Sequence, residues 1–429
     1  MKVFHTVFYV LSLIFISFTL LICTSCLNSK SNTNTLRILV PSWVSYKFKL
    51  DEAVTQFITE NPGIKVVIDK NNNYDTSYYP LMNKSFQNKY DIIIGGSREQ
   101  IVPYAESGII MDFGSNFFDD NFRKGDFFPS FLELGNINGK QYMIPLMGEI
   151  MSIVIRKDLF EKAGFMDKNG SPIPPKDWNQ LYSYAKKLTA VNDKGQKIYG
   201  MSIDFGNNML LYSFFASLQA ERGNIYDNNS SFIDISSKDV KNLLENWRRL
   251  VKDGLTPTYT FEDMEAGGTN LKAGTVAMLL TSHSRWIEIS AVLGEKNVGI
   301  MPLPNAEKNG SLTYIHGITI PSISQNKELA IKFIKQKLLF RDFQSWTMEK
   351  YGKIPSLIRN YEVNLSPEWN SIFSWVRDAS TLPIYENWSK MDKVMQLEIK
   401  KCVTGKQTPE QAINNMTDQL NSIKKSSGF

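Results

Sequence analysis

Residues 139–165 read GKQYMIPLMGEIMSIVIRKDLFEKAGF. From Met143 to Ile155 the text is almost wholly apolar, and Glu149 is its one charged residue. Met151 to Ile155 (MSIVI) has the short, Ile- and Val-rich composition of a buried strand. An ionised side chain is costly to bury unless it is paired or hydrogen-bonded. Glu149 therefore needs a reason, and contact with a polar ligand is the first candidate. The alternative is a buried structural carboxylate paired to a lysine or to backbone amides.

The flanking text supplies the class. On the N-terminal side, Leu36 to Val40 (LRILV) reads as a strand that stops at Pro41. Leu50, Ala53, Val54, Phe57 and Ile58 fall on one helical stripe, which Asn61-Pro62-Gly63 ends. Ile64 to Ile68 and Tyr90 to Ile94 are further strands, the last bounded by Gly95-Gly96. On the C-terminal side, Trp178 to Leu188 and Val240 to Leu250 carry helical stripes. Strand-like text returns at Val298 to Met301 and Ile315 to Ile320, followed by a helical stripe from Leu329 to Leu338. Thr408-Pro409-Glu410-Gln411 has a capping residue, a proline at the first helical position and a glutamine placed for a capping box. Strands alternating with helices predict an α/β protein built on mainly parallel sheet. Ligands bind such sheets at the carboxyl edge. Trp43, just after the first strand, and Ser97 and Arg98, in the loop after the third, are candidates there. For Arg98 a solvated loop is the alternative, and for Trp43 a core or surface tryptophan.

The N-terminus reads as an address. Lys2 precedes an apolar run from Val7 to Cys23, then small Thr24 and Ser25 and then Cys26, the pattern of a secretory signal peptide. A cysteine after small residues resembles the bacterial lipobox, with Cys23 where that box usually carries Leu; it implies lipidation of Cys26. A single uncleaved membrane anchor is the alternative. The polar tract Leu27 to Thr35 reads as a tether. The organisation is then 1–25 signal peptide, 26–35 lipidated tether, and a body long enough for two or three domains. Within that body Cys402 is the one cysteine, so no internal disulfide framework forms. The formal charge of +5 on 429 residues comes without a Lys/Arg block, which argues against nucleic acid as a partner.

Several short passages, in order, resemble the extracellular solute-binding proteins of carbohydrate ABC importers, the maltose-binding-protein-like family: FITENPGIKV (57–66), YDIIIGGSREQIVPYAESGII (90–110), the 139–165 block, the helix at 178–189, LKAGTVAMLL (271–280) followed by Trp286, VGIMPLP (298–304), NKELAIKF (326–333), GKIP (352–355) and GKQTPEQA (405–412). The resemblance implies a two-lobed periplasmic-binding-protein fold, each lobe a mainly parallel sheet flanked by helices. The N-lobe is expected over 36–147 plus 299–350, and the C-lobe over 148–298 plus 351–429, with hinge crossings between them. It implies an exported, lipid-anchored monomer that binds a carbohydrate and delivers it to membrane permease subunits, with no cofactor and no catalysis of its own.

A polyol offers hydroxyls and weakly polar C–H faces, so its cleft should combine aromatic rings with a few fixed polar groups. The resemblance places Glu149 where relatives often hold a sugar-binding polar residue. It adds Trp286, Trp388, His316 and the amide Asn207, with its neighbour Asn208, to Trp43, Ser97 and Arg98 as ligand-binding candidates. An anionic, glycerol-phosphate-type ligand is the runner-up, because Arg98, Arg285 and His316 could gather at the cleft. An exported carbohydrate-active hydrolase is the rival class. The chain has no G-x-S-x-G elbow, no H-E-x-x-H and no Walker A loop, although paired carboxylates for glycoside hydrolysis stay open.

Overall fold

The computed structural model describes residues 34–71, 88–206, 209–222, 235–360, 365–382 and 388–426. Cys26, the leader and Asn207-Asn208 lie outside these residues. Along the chain run strands β1 (Thr35–Pro41), β2 (Lys65–Asn71), β3 (Ile92–Gly96), β4 (Ile144–Arg156), β5 (Ser202–Ile203), β6 (Met278–Ser282), β7 (Val298–Met301), β8 (Thr313–Thr319) and β9 (Ile354–Pro355). The helices that matter for the site are α1 (Ser42–Lys47), α2 (Leu50–Glu60), α3 (Arg98–Glu106), α4 (Trp178–Leu188), α5 (Met209–Arg222), α6 (Ala266–Ala273) and α7 (Ser284–Leu293).

Local chemistry accounts for these elements. In α2 the buried residues are Leu50, Ala53, Val54 and Phe57, four of the five read as a stripe from the sequence; the fifth, Ile58, is exposed. The α4 helix starts where the Asp177 carboxylate accepts the Gln180 N–H. At the last helix, Pro409–Ser426, the capping box forms in both directions: Thr408 N–H donates to Gln411 Oε1, and Gln411 N–H donates to Thr408 Oγ1.

The strands follow the order β2-β1-β3-β8-β4-β6-β5, with β7 and β9 also pairing with β4. Both ends are parallel, β1 with β2 and β3, and β6 with β5, whereas every strand that meets β4 runs antiparallel to it. The decisive element is β4 itself. Through Ile150 it pairs with β8; from Met151 onward it pairs with β6 and then β7. One strand thus belongs to two half-sheets, and the handover falls one residue after Glu149. The strand read from the sequence spans only Met151 to Ile155, whereas β4 starts at Ile144. Gly148 makes room: a Cβ there would meet the Phe131 ring at 2.0 Å.

Three apolar clusters fill the layers. One joins β1, β3 and the start of β4 to the helices around Phe57 and Phe333. A second joins the end of β4 and β6 to α4, α5 and the helices near the C-terminus. The third runs along the other face of the sheet, from Leu39 and Ile93 through Ile150 to Leu279 and Trp286, and ties the half-sheets together at their junction. Among the described residues no helix is long and apolar enough to cross a membrane.

Candidate functional site

Alternation along β4 puts Ile150 in the cluster that spans the sheet, so its neighbour Glu149 faces the opposite side. There Glu149 is buried, 3 % exposed, and its carboxylate accepts four hydrogen bonds. Lys353 Nζ and His316 Nε2 (3.1 Å) donate to Oε1, and the hydroxyls of Ser282 and Ser284 (2.5 Å) donate to Oε2. Thr313 Oγ1 holds the Glu149 carbonyl at 2.6 Å. Four separate elements supply this shell. Ser282 ends β6 and Ser284 opens α7, while His316 lies on β8. Lys353 follows Gly352, whose left-handed backbone (φ 66°) ends the helix Arg341–Tyr351 and turns the chain toward the site.

Burial alone would raise the Glu149 carboxyl. The Lys353 ammonium, the His316 hydrogen bond and the nearby His283 ring outweigh it and hold the group well below the usual carboxylate range. Burial lowers both histidines in turn, His283 to about 4. His316 is therefore neutral at pH 7, and its Nε2–H donates to the carboxylate. Tyr314, two residues before His316 and paired with Glu149 across the strands, is pushed well up by burial and stays a phenol.

A row of rings lies alongside. Trp43, half-buried at the start of α1, meets the His316 ring edge-on at 4.9 Å and 71°. The Tyr314 ring is 6.2 Å from that of His316. On α5, the Tyr212 ring sits 4.5 Å from that of Tyr314. Tyr212 hydroxyl then donates to Glu99 Oε1 on α3 at 3.2 Å, which joins an element next to β3 to one packed on the second cluster. Loss of solvent around Glu99 raises its carboxyl above the ordinary value. Lys353 Nζ is 5.8 Å from the Trp43 ring centroid, within cation–π range.

Of the residues singled out from sequence, the structure brings Glu149, His316 and Trp43 together. Ser97 is the N-cap of α3, its N–H donating to Gln100 Oε1 at 3.2 Å. Three residues sit elsewhere. Trp286 is buried in the cluster that contains Ile150, its ring 5.9 Å from that of Trp369. Two residues along a helix turn a side chain by more than half a circle, so when Ser284 faces Glu149, Trp286 faces the core. Arg98 turns its guanidinium to the Glu133 carbonyl and carboxylate, and Trp388 packs half-buried against the α5 cluster. The gathering of Arg98, Arg285 and His316 does not occur, because Arg285 is held by Glu265 and Glu288 at 2.6 and 2.7 Å. Sequence reasoning missed Lys353, Ser282, Ser284, Tyr314 and Tyr212. Period-two alternation from His316 points to Tyr314, and the GKIP passage contains Lys353. Nothing local marked Tyr212. Among the described residues no three His, Cys, Asp or Glu side chains are grouped to hold a metal ion.

Comparison with known proteins places this arrangement. The profile of the bacterial extracellular solute-binding protein family matches residues 45–335. A binding protein of Brucella abortus (strain 2308) is 24% identical over 394 residues, covering 87% of this chain and 89% of its own. Among solved structures, maltose-bound MalE3 of T. maritima superposes with a TM-score of 0.76 at 20% identity, over 91% of this chain and 99% of that one. A solute-binding protein of Thermotoga lettingae, bound with alpha-D-tagatose, gives 0.76 at 21% identity over 91% and 99%. These likenesses give the chain the two-lobed fold of those proteins. The chain belongs to the bacterial extracellular solute-binding protein family.

Proposed function

We propose that this protein captures a neutral polyhydroxy solute, a sugar or short oligosaccharide, between two lobes and presents it to the permease of an ABC importer. The lobes in this reading comprise residues 36–147 with 299–350, and 148–298 with 351–429. The observation that carries it is the ring row Trp43, His316, Tyr314 and Tyr212, drawn from the first half-sheet with its helix α1 and from α5 packed on the second, and running beside one fully hydrogen-bonded carboxylate. Flat rings cover the C–H faces of a sugar, and fixed donors and acceptors engage its hydroxyls. Solved relatives that hold maltose and tagatose support the same ligand class. The bond from Tyr212 to Glu99 joins α5 to α3, and in this reading a ligand that touches both sides shifts an open–closed equilibrium toward the closed form. Export and lipidation at Cys26 belong to this reading and rest on the leader pattern.

The test is a thermal-shift screen of the protein from residue 27 onward against monosaccharides, maltodextrins, sugar phosphates, glycerol phosphates and amino acids. A rise in Tm confined to neutral sugars, abolished in Trp43→Ala, is expected. A response to glycerol phosphates alone overturns the reading in favour of an anionic solute, and shortening of an oligosaccharide during incubation points to a hydrolase.

A further inference from the structure

A carboxylate has about four acceptor positions, and at Glu149 all four are taken by Lys353, His316, Ser282 and Ser284. A ligand hydroxyl can reach this carboxylate only by displacing one of them. Three of those donors are neutral, and Lys353 alone carries a full charge. Removing it would strand a buried anion, which is far costlier than re-aiming a serine hydroxyl. Lys353 is also the more open partner, with 12% of its side chain exposed against 4% for Glu149, and it lies over the Trp43 ring. The other cations considered for the cleft are engaged: Arg98 with Glu133, and Arg285 with Glu265 and Glu288.

We propose that Lys353 is a specificity-determining residue of the cleft, held by Glu149 so that its ammonium meets ligand oxygen while the pair stays neutral and selects uncharged sugars over their acid forms. This inference rests on the sugar-binding reading and adds to it the charge class of the ligand and the residue that sets it. Glu149 is then a positioning residue that fixes Lys353, His316 and Ser284, and its charge cancels the attraction Lys353 would otherwise exert on an anion. A cationic ligand meets the Lys353 charge directly, whereas an anionic ligand must compete with Glu149 for the same ammonium. A neutral hydroxyl accepts from the ammonium without disturbing either charge.

The experiment compares the unaltered protein with Glu149→Gln, Lys353→Gln and the double variant. Dissociation constants are measured by calorimetry for maltose and for the matched pairs glucose with glucuronate and galactose with galacturonate. Unfolding temperatures are recorded without ligand. The unaltered protein is expected to favour the neutral member of a pair. Glu149→Gln shifts that ratio toward the acid by about tenfold or more, the scale of one charge-assisted hydrogen bond. Lys353→Gln weakens the neutral sugar about tenfold with no gain for the acid. Without ligand, the double variant loses less in Tm than the two single losses together. A ratio that stays constant while both sugars weaken equally makes Lys353 purely structural and overturns the proposal alone, as do additive Tm losses. Absence of any response to all five sugars overturns the sugar reading and this inference with it, and the Tm cycle still reports whether the ion pair forms.

Discussion

Glu149, within β4, and Asp204, just past β5, are both buried carboxylates, 3 % and 2 % exposed, yet their pKa values move in opposite directions. Glu149 has four donors, one of them an ammonium. Among the described residues Asp204 has one, the Thr281 hydroxyl at 2.5 Å on Oδ2, and its Oδ1 has no partner. Arg285 is near enough to attract Asp204, but its hydrogen bonds go to Glu265 and Glu288, whose own charges repel it. Burial therefore dominates and pushes the Asp204 carboxyl up to about 7, while the Glu149 carboxyl lies far below its ordinary value. Burial supplies the same penalty in both places. The number and charge of the donors decide the outcome.

The largest effect is expected where the compensating charge is removed. Lys353→Met strands the Glu149 carboxylate and should cost about 3–5 kcal/mol in urea unfolding at pH 7. A loss no larger than that of a surface lysine would mean the pair is not formed.

Asp204→Asn tests the opposite case. Because its folded-state pKa is raised, folding favours the protonated acid. Its contribution is fully present below the ordinary carboxylate pKa of 3.8 and is lost as pH rises toward about 7. The amide variant should nearly match the unaltered protein at pH 4 and gain about 4 kcal/mol at pH 8. Equal Tm differences at the two pH values would show that Asp204 is ionised throughout.

Smaller changes sharpen the contrast. Ser284→Ala removes one donor from an ionised acceptor and should cost about 1.5–2 kcal/mol. Thr281→Val removes the donor on Oδ2 of a carboxyl raised to about 7, and about 1 kcal/mol is expected. Reversal of that order in denaturant titrations would break the assignment of charge states.

The elements were legible where local pattern and packing agree. The stripes of α2 and α4 and the strand Val298–Met301 appear where their residues predict them. The reading gave β4 only from Met151, while the strand starts at Ile144; the close approach of Phe131 explains Gly148 within it, and that contact is invisible in one dimension. At the site, Glu149 stood out as a charge in an apolar run, and His316 and Trp43 join it. Trp286, expected at the cleft, packs in the core instead, since linear spacing does not say which side of a first turn looks inward. Lys353 stayed unremarked because a lysine in a turn carries no local signal of burial.

By itself the sequence determined the α/β alternation, the family and the position of one unusual carboxylate, because periodicity, breakers and an isolated charge are properties of neighbours in the chain. Only the tertiary structure decided what that carboxylate is bonded to. Its four donors come from Ser282, Ser284, His316 and Lys353, more than 130 residues away along the chain. Hydrogen bonds and charge compensation depend on distances in space, and the fold alone brings those segments within reach of one another.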